Sequence, residues 1–280
     1  MNVLVGLASV FPLWFLRPVG AALGWAAFSI LRIRRRVALD NIRRAIGGSE
    51  QEVRGIARRS YMNLGRSMME FAAFHRLSAG QIQRLVTVEG EQHFDEVAAA
   101  GRGAMLVTGH FGNWELIAAW MGRSRFPFNV LAGRQSNPRV NRILNRLREK
   151  QGSRIIHYQA GLRGVLRALD QKELVAVLAD QDARRRGVFV DFMGRPASTM
   201  REPARLAVQL GCPIISGFII RCLGGRHRAE ILPPLWPALD LPRDEAIVDL
   251  TQRFTAHLEA YVRKYPDQYF WAHRRWKTQP

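Results

Sequence analysis

The start of the chain is almost free of charged positions and divides into two short apolar segments. Residues 3–16 form the first segment, which contains Pro12, and residues 21–31 form the second. Arg17 and Pro18 stand between them. A helix that crosses a bilayer needs roughly 20 consecutive apolar residues, so each segment is short for a span. A basic cluster, Arg32 and 34–36, follows directly.

Four interpretations of this N-terminus compete. A cleaved signal peptide is disfavoured because the basic cluster follows the apolar run instead of preceding it. A spanning helix would leave everything after residue 31 in the cytoplasm by the positive-inside rule. An interfacial or re-entrant hairpin, with its arginines on anionic headgroups, is the preferred interpretation. A pair of core helices in a soluble protein is the fourth. We therefore predict a membrane-associating segment at residues 1–36.

Beyond residue 37 the hydrophobic pattern predicts a long helix and then an α/β domain. Ser49 and Glu52 have the spacing of a capping box, and helically spaced apolar residues follow, which predicts a helix at about 50–76. From residue 85 short apolar runs alternate with helical patterns. The runs 214–220 and 229–232 flank Gly224-Gly225 and predict an antiparallel hairpin. The predicted fold class is α/β, a mainly parallel mixed sheet flanked by helices, with a helical, apolar N-terminal prefix.

The length and composition agree with one domain after the prefix. We predict that residues 37–280 form it, with a helical part at 37–80, an α/β core at 85–265 and a C-terminal tail at 266–280. The chain has 280 residues, which is enough for a sizeable core. Its two cysteines exclude a disulfide framework and a Cys-rich zinc site.

The charge of the chain indicates an anionic partner. The formal net charge is +19 and the isoelectric point is about 11.4, which suits nucleic acid, anionic lipid, a phosphorylated substrate or an acidic protein. A nucleic-acid-binding protein is the less favoured alternative, because the sequence shows no recognition helix and no platform of interleaved aromatic and basic residues. A non-catalytic lipid-binding scaffold is a further alternative. The predicted partners do not include nucleic acid.

The residues with the clearest chemistry stand in the sequence LVTGHFGNWE, at 106–115. His110 directly follows a predicted buried strand and precedes a helix, and ligands of open α/β sheets bind at the carboxyl ends of strands. Glu115 falls in the first turn of that helix, where its carboxylate can fold back toward the imidazole. Such a pair can serve as a general base. A buried structural histidine is the alternative interpretation.

Several common catalytic motifs are missing from the sequence. It contains no Gly-x-Ser-x-Gly elbow, no phosphate-binding Gly-x-x-x-x-Gly-Lys-Ser/Thr loop, and no His-Glu-x-x-His or Cys-x-x-Cys pair for zinc. No metal and no cofactor is therefore predicted. A general base without a protein nucleophile favours direct attack by a substrate hydroxyl on an activated donor.

Several motifs in one order carry a resemblance that covers nearly the whole chain. They are HFGNWE at 110–115, Asn137-Pro138 followed by Arg148 and Gly152, DQD at 180–182 followed by VFVDFMG and PAST at 188–199, and PDQYFWAHRRWK at 266–277. In these features the chain resembles the late lipid A acyltransferases of lipopolysaccharide assembly. That family uses the His-x4-Asp/Glu motif of the glycerolipid acyltransferases.

The resemblance implies an inner-membrane enzyme with its catalytic domain on the cytoplasmic face. It implies acyl transfer from an acyl carrier protein thioester to a hydroxyl of a lipid A precursor, with His110 as base and Glu115 as its partner. An enzyme that acylates another glycolipid, such as phosphatidylinositol mannoside, from acyl-CoA is the close alternative. The other predicted substrate-binding or supporting residues are Arg134, Asn137, Arg148, Asp180, Gln181 and Asp182.

Overall fold

A seven-stranded mixed sheet forms the centre of the computed structural model, which describes residues 6, 8–133, 137–157 and 161–280. The strand order is β1-β9-β8-β2-β5-β3-β4, and a separate antiparallel hairpin joins β6 to β7. The strands are β1 (Val86–Glu89), β2 (Ala104–Thr108), β3 (Phe128–Ala132), β4 (Arg154–His157), β5 (Leu174–Leu178), β6 (Val188–Asp191), β7 (Pro196–Thr199), β8 (Ile214–Arg221) and β9 (His227–Ile231).

Every pairing in the large sheet is parallel except that of β8 with β9. The antiparallel hairpin predicted around Gly224-Gly225 is therefore confirmed. The central strands are apolar along their length and buried on both faces, as strands of a parallel sheet covered by helices are. The predicted α/β class, with a mainly parallel mixed sheet between helices, is confirmed.

Helices cover the sheet and precede it. They are α1 (Leu13–Ser29), α2 (Arg35–Ala45), α3 (Glu50–Ala73), α4 (Ala79–Leu85), α5 (Gln92–Ala99), α6 (Trp114–Met121), α7 (Pro138–Lys150), α8 (Gly161–Asp170), α9 (Glu202–Leu210) and α10 (Arg243–Lys264). The Ser49–Glu52 capping box begins α3 as predicted, and a 3-10 turn at Phe74–Arg76 continues it.

Helix α1 lies against α3 through small residues. Gly20 and Gly24 of α1 face the backbone of α3 at Gly65 and Tyr61 so closely that a Cβ on either glycine would collide with it. This contact buries one side of α1, including Leu16 and other apolar residues, and leaves the opposite side exposed. Among the described helices, none combines the length and apolar character that crossing a membrane requires.

Candidate active site

The register of two neighbouring strands brings His110 to Asp180. β2 and β5 are parallel, with Thr108 opposite Leu178. His110 and Asp180 each stand two residues beyond the end of their strand, so they lie at the same level. The Asp180 carboxylate accepts a hydrogen bond from the His110 backbone N–H at 2.9 Å and lies 2.7 Å from His110 Nδ1. Asp180 is buried, whereas 20% of the His110 side chain remains exposed. The imidazole is thus fixed on one side and accessible on the other.

The electrostatics of this pair prepare the imidazole to accept a proton. An ionised carboxylate only accepts hydrogen bonds, so Nδ1 carries the ring proton and the lone pair of a neutral ring is at Nε2. Burial alone would lower the pKa of His110, but the adjacent Asp180 carboxylate raises it above the usual value. Burial would likewise raise the pKa of Asp180, but His110 holds it below its usual range.

Glu115 has a different partner from the one that the sequence predicted. Its carboxylate is buried and accepts two hydrogen bonds from Arg148 of α7, at 2.9 Å from Nε and 2.5 Å from Nη2. The structure places it on this guanidinium and not on the imidazole of His110. The correction has a geometric reason. The first turn of α6 faces α7, whereas Asp180 follows β5, the neighbour of the strand that precedes His110.

The C-terminal tail holds the backbone around His110, which we call the histidine turn (residues 109–113). The Phe270 N–H donates to the His110 carbonyl at 3.0 Å, and the Gly112 N–H donates to the Gln268 carbonyl at 2.8 Å. Gly112 has a φ of 59° and lies against the backbone of Ile219, so a side chain there would both strain and collide. The tail is therefore part of the site.

An apolar cavity of about 1000 Å³ begins at His110. Trp114 and Phe270 lie beside the imidazole, with ring centroids 5.0 and 6.0 Å away. The polar residues of its lining, which we call its polar end, are Thr108, His110, Glu115, Arg148, Gln181 and Arg184. The cavity then follows the sheet between α3, α6 and strands β2, β3 and β5, as far as Phe94, Met121 and Phe128. A volume of this size is at the upper end for small-ligand sites.

The remaining predicted residues divide between the cavity and the supporting structure. Gln181 lines the cavity, and its Nε2 lies 3.5 Å from His110 Nε2. Asp182 turns away from it: its carboxylate accepts from the Arg184 backbone N–H and from the Thr278 hydroxyl. Asn137 caps the N-terminus of α7. Arg134 lies outside the described residues. No group of three or more potential metal ligands occurs in the part of the chain that the structure describes.

Sequence reasoning missed three contributors to the site. Phe270 and Trp114 lie beside the imidazole, and they belong to the motifs PDQYFWAHRRWK and HFGNWE. Glu70 falls within the helix predicted at about 50–76, and its carboxylate accepts a hydrogen bond from Asn113 of the histidine turn at 2.7 Å. An acid among the apolar positions of α3 was the one available signal for it.

Comparison with protein families gives a match over almost the whole chain. The sequence model of the family described as "Bacterial lipid A biosynthesis acyltransferase" matches residues 1–278. The chain is 27% identical over 265 residues to the "Lipid A biosynthesis lauroyltransferase" of Escherichia coli K12, an alignment that covers 94% of this chain and 85% of that protein.

Mycobacterial relatives are also similar. The chain is 31% identical over 145 residues to the "Phosphatidylinositol mannoside acyltransferase" of Mycobacterium tuberculosis H37Rv, covering 50% of this chain and 45% of that protein. This alignment therefore spans less than half of the relative. The protein of the same name from Mycolicibacterium smegmatis is 24% identical over 243 residues, which are 84% of this chain and 77% of that protein.

Proposed function

Because the chain belongs to the bacterial lipid A biosynthesis acyltransferase family, we propose that it transfers a fatty acyl chain from an acyl carrier protein thioester to a hydroxyl of a lipid A precursor. The observation that carries the proposal is the His110–Asp180 pair at the polar end of a long apolar cavity. A base beside an apolar cavity is what a reaction between a hydroxyl and an activated fatty acid requires.

The reaction proceeds by direct attack. His110 Nε2 takes the proton of the acceptor hydroxyl as the hydroxyl oxygen bonds to the thioester carbonyl carbon. The tetrahedral intermediate collapses, the C–S bond breaks, and the leaving thiolate takes the proton from the His110 imidazolium. The products are an ester and a free thiol. Asp180 holds the imidazole in the required tautomer and stabilises its charged form.

Arg148 and Glu115 support the same step without exchanging protons. The Arg148 guanidinium lines the polar end of the cavity and is held there by two hydrogen bonds to Glu115. A fixed positive charge at this point favours the oxyanion that develops on the thioester carbonyl. In this arrangement Glu115 acts through Arg148, and the predicted dyad becomes two adjacent pairs.

The cavity accommodates the acyl chain. Its wall beyond the polar end is apolar, and it runs beside β3 from Ala132 near the site to Phe128 at the opposite end of the strand. A strand of this length spans roughly 16 Å. A fatty acyl chain lying along the strand keeps its thioester carbon beside His110, and Met121 and Phe128 lie at the far end.

The exposed side of α1 supports placement at the cytoplasmic face of the inner membrane. The exposed large residues in and just before this helix are all apolar: Val10, Phe11, Trp14, Phe15, Leu23 and Trp25. The single charged residue of α1, Arg17, points inward to Glu70. Exposed arginines of the cluster 32–36 follow, as anionic headgroups require. The helix therefore suits a position in the interface plane.

Trp14 tests this placement, because 74% of it is exposed. We expect Trp14→Glu to reduce partitioning onto vesicles that contain phosphatidylglycerol by about tenfold, since a carboxylate replaces an aromatic ring at an anionic surface. Sedimentation with vesicles measures the effect. The control is Trp236→Glu, an exposed tryptophan in the connector that follows β9. Equal losses in both variants would place the membrane contact elsewhere.

A second candidate acceptor is favoured by the mycobacterial relatives. Their printed name, phosphatidylinositol mannoside acyltransferase, gives an acceptor of a different glycolipid class. The same base and the same cavity serve either acceptor, so the two functions differ in acceptor and donor rather than in chemistry. Both belong in the same assay.

The experiment that tests the proposal is mass spectrometry of the glycolipid product. The protein in detergent is given a tetra-acylated lipid A precursor or a phosphatidylinositol mannoside, together with acyl carrier protein or CoA thioesters of several lengths. We expect a mass gain of one acyl group on the lipid A precursor, lost by about a thousandfold or more in His110→Ala. His93→Ala is the matched control, because His93 pairs with Glu96 on α5. Transfer that survives in folded His110→Ala would remove the proposed base.

A further inference from the structure

A third buried carboxylate, besides those of Asp180 and Glu115, lies next to the histidine turn. Glu70 of α3 is 1% exposed, and it accepts four hydrogen bonds, three from two guanidinium groups and one from an amide. Arg221 donates to both oxygens at 2.7 and 2.8 Å, Arg17 donates to Oε1 at 2.6 Å, and Asn113 donates to Oε2 at 2.7 Å. These donors belong to β8, α1 and the histidine turn. Glu70 therefore joins three parts of the molecule that are far apart in sequence.

Two of the contacts fix the histidine turn directly. Asn113 uses its amide N–H on Glu70 and its carbonyl oxygen to accept the Leu116 N–H, which caps the helix that carries Glu115. One turn before Glu70, the Ser67 hydroxyl donates to the Gly112 carbonyl at 3.2 Å. The two residues that separate His110 and Phe111 from α6 are thus both held by α3.

A third contact reaches the apolar N-terminal helix. Arg17 is the single charged residue of α1, and besides Glu70 its guanidinium donates to the Gly225 carbonyl at 2.6 Å. Gly225 lies in the turn between β8 and β9, so Arg17 links α1 to that hairpin as well. A shift of α1 therefore moves Arg17, and the partner of Arg17, Glu70, also holds Asn113 of the histidine turn.

The charges in this cluster keep Glu70 ionised. Burial alone would raise the pKa of its carboxyl, but Arg221, with smaller contributions from His227 and Arg17, lowers it to about 2. His227 lies 3.8 Å from Glu70, and burial lowers its pKa to about 4, so the ring is neutral at neutral pH. One carboxylate is thus shared by two guanidinium groups and an amide.

We propose that Glu70 is a positioning residue for the histidine turn, and that through Arg17 it makes turnover depend on the seating of helix α1. Glu70 does not line the cavity. It acts by holding Asn113, and with it the turn that presents His110 to Asp180. The expected loss of kcat rests on the proposed acyl transfer, whereas the expected displacement of the histidine turn does not.

The test compares Glu70→Gln with a matched buried carboxylate. Glu173 also accepts from an arginine and an asparagine, Arg154 at 2.5 Å and Asn129 at 2.8 Å, but it precedes β5 and lies away from the histidine turn. We expect folded Glu70→Gln to lose kcat by about tenfold to a hundredfold with a much smaller change in KM, because a small displacement of the base costs rate more than binding. Glu173→Gln is expected to lower Tm and leave kcat within about twofold.

A second measurement needs no substrate. The His110 imidazole is titrated by NMR, with its resonance identified by its loss in His110→Gln. We expect His110 to titrate at lower pH in Glu70→Gln than in the unaltered protein, because a displaced turn weakens the bond to Asp180. Glu173→Gln is expected to leave the titration in place. This measurement judges the positioning role even where no donor supports transfer, so a failure of the proposed function stays distinguishable.

Two further variants keep the test decisive. Asn113→Ser retains an N-cap for α6 but replaces the amide that reaches Glu70 with a shorter side chain. It serves where Glu70→Gln does not fold, and it is expected to lower kcat and to move the His110 titration to lower pH. Arg17→Met is expected to be non-additive with Glu70→Gln in a double-mutant cycle of kcat. An unchanged kcat and titration in folded Glu70→Gln or Asn113→Ser would overturn the positioning role. Additive Arg17→Met effects would overturn the link to α1.

Discussion

Two pairs, each with one buried carboxylate, lie at the same edge of the sheet, and they differ in what they can do. His110–Asp180 and Glu115–Arg148 each join one carboxylate to one nitrogen base at hydrogen-bonding distance. Arginine stays protonated at every working pH, so the second pair is permanently charged on both sides. Histidine titrates near neutrality, so the first pair has two protonation states. Only the His110–Asp180 pair can take a proton and return it.

The two pairs are also built differently. Sheet register makes the first: β2 and β5 are neighbours, and their ends carry His110 and Asp180 to the same level. Helix packing makes the second, between the first turn of α6 and the last turn of α7. Strand register is rigid, which suits a base that must be oriented. A contact between two helix ends is sufficient to hold a charge near a cavity.

Asp180→Asn tests this difference between the two pairs and is expected to have the largest effect on turnover. An amide of the same size keeps the packing but removes the negative charge, so we expect turnover to fall by about a hundredfold to ten-thousandfold. The base must be neutral to act, so activity is lost as pH falls through the pKa of His110, which Asp180 raises. Without that carboxylate the lowering of this pKa by burial is less opposed, and the acidic limb of kcat/KM is expected to move to lower pH.

Glu115→Gln and Asp182→Asn are the contrasts for this measurement. Glu115 makes a smaller contribution than Asp180 to the raised pKa of His110, so its variant is expected to move the acidic limb less. Asp182 bonds to Arg184 and Thr278 and is expected to leave the limb in place. A limb that moves as far in Glu115→Gln as in Asp180→Asn would restore the pairing of His110 with Glu115 that the sequence suggested.

The sequence was sufficient to predict local structure, but it was not sufficient to predict the partner of His110. Apolar runs, the Ser49–Glu52 box and Gly224-Gly225 predicted strands, a helix start and a hairpin, because each depends on residues close together in the chain. Strand order is not local. Without the adjacency of β2 and β5, Glu115 was the nearest acid to His110 in sequence, while Asp180 stood seventy positions away.

Glu70 shows the same limit in another form. Its surroundings combine donors from α1, β8 and the histidine turn, and no spacing along the chain brings them together. The single clue was an acid on the buried side of α3, next to Phe71 and Ala72. A charged residue that interrupts an apolar face predicts a buried partner, because an unpaired buried charge is costly, but it does not say which partner.

Arg148→Met tests the second pair, with a smaller effect on rate and a larger one on stability. The variant leaves the Glu115 carboxylate buried and unpaired, and we expect it to cost about 3–5 kcal/mol of the free energy of unfolding. Turnover is expected to fall by about tenfold to a hundredfold through loss of a fixed positive charge beside the oxyanion. Denaturant unfolding and product mass spectrometry at saturating donor measure the two effects.

The double variant Glu115→Gln/Arg148→Met separates these two effects. Removing both charges leaves no uncompensated carboxylate, so most of the stability lost in Arg148→Met is expected to return. The rate is not expected to return, because the cation beside the cavity is still missing. Recovery of both would mean that Arg148 serves only to neutralise Glu115. Recovery of neither would mean that Glu115 contributes on its own account, and the two pairs would then have to be treated as one network.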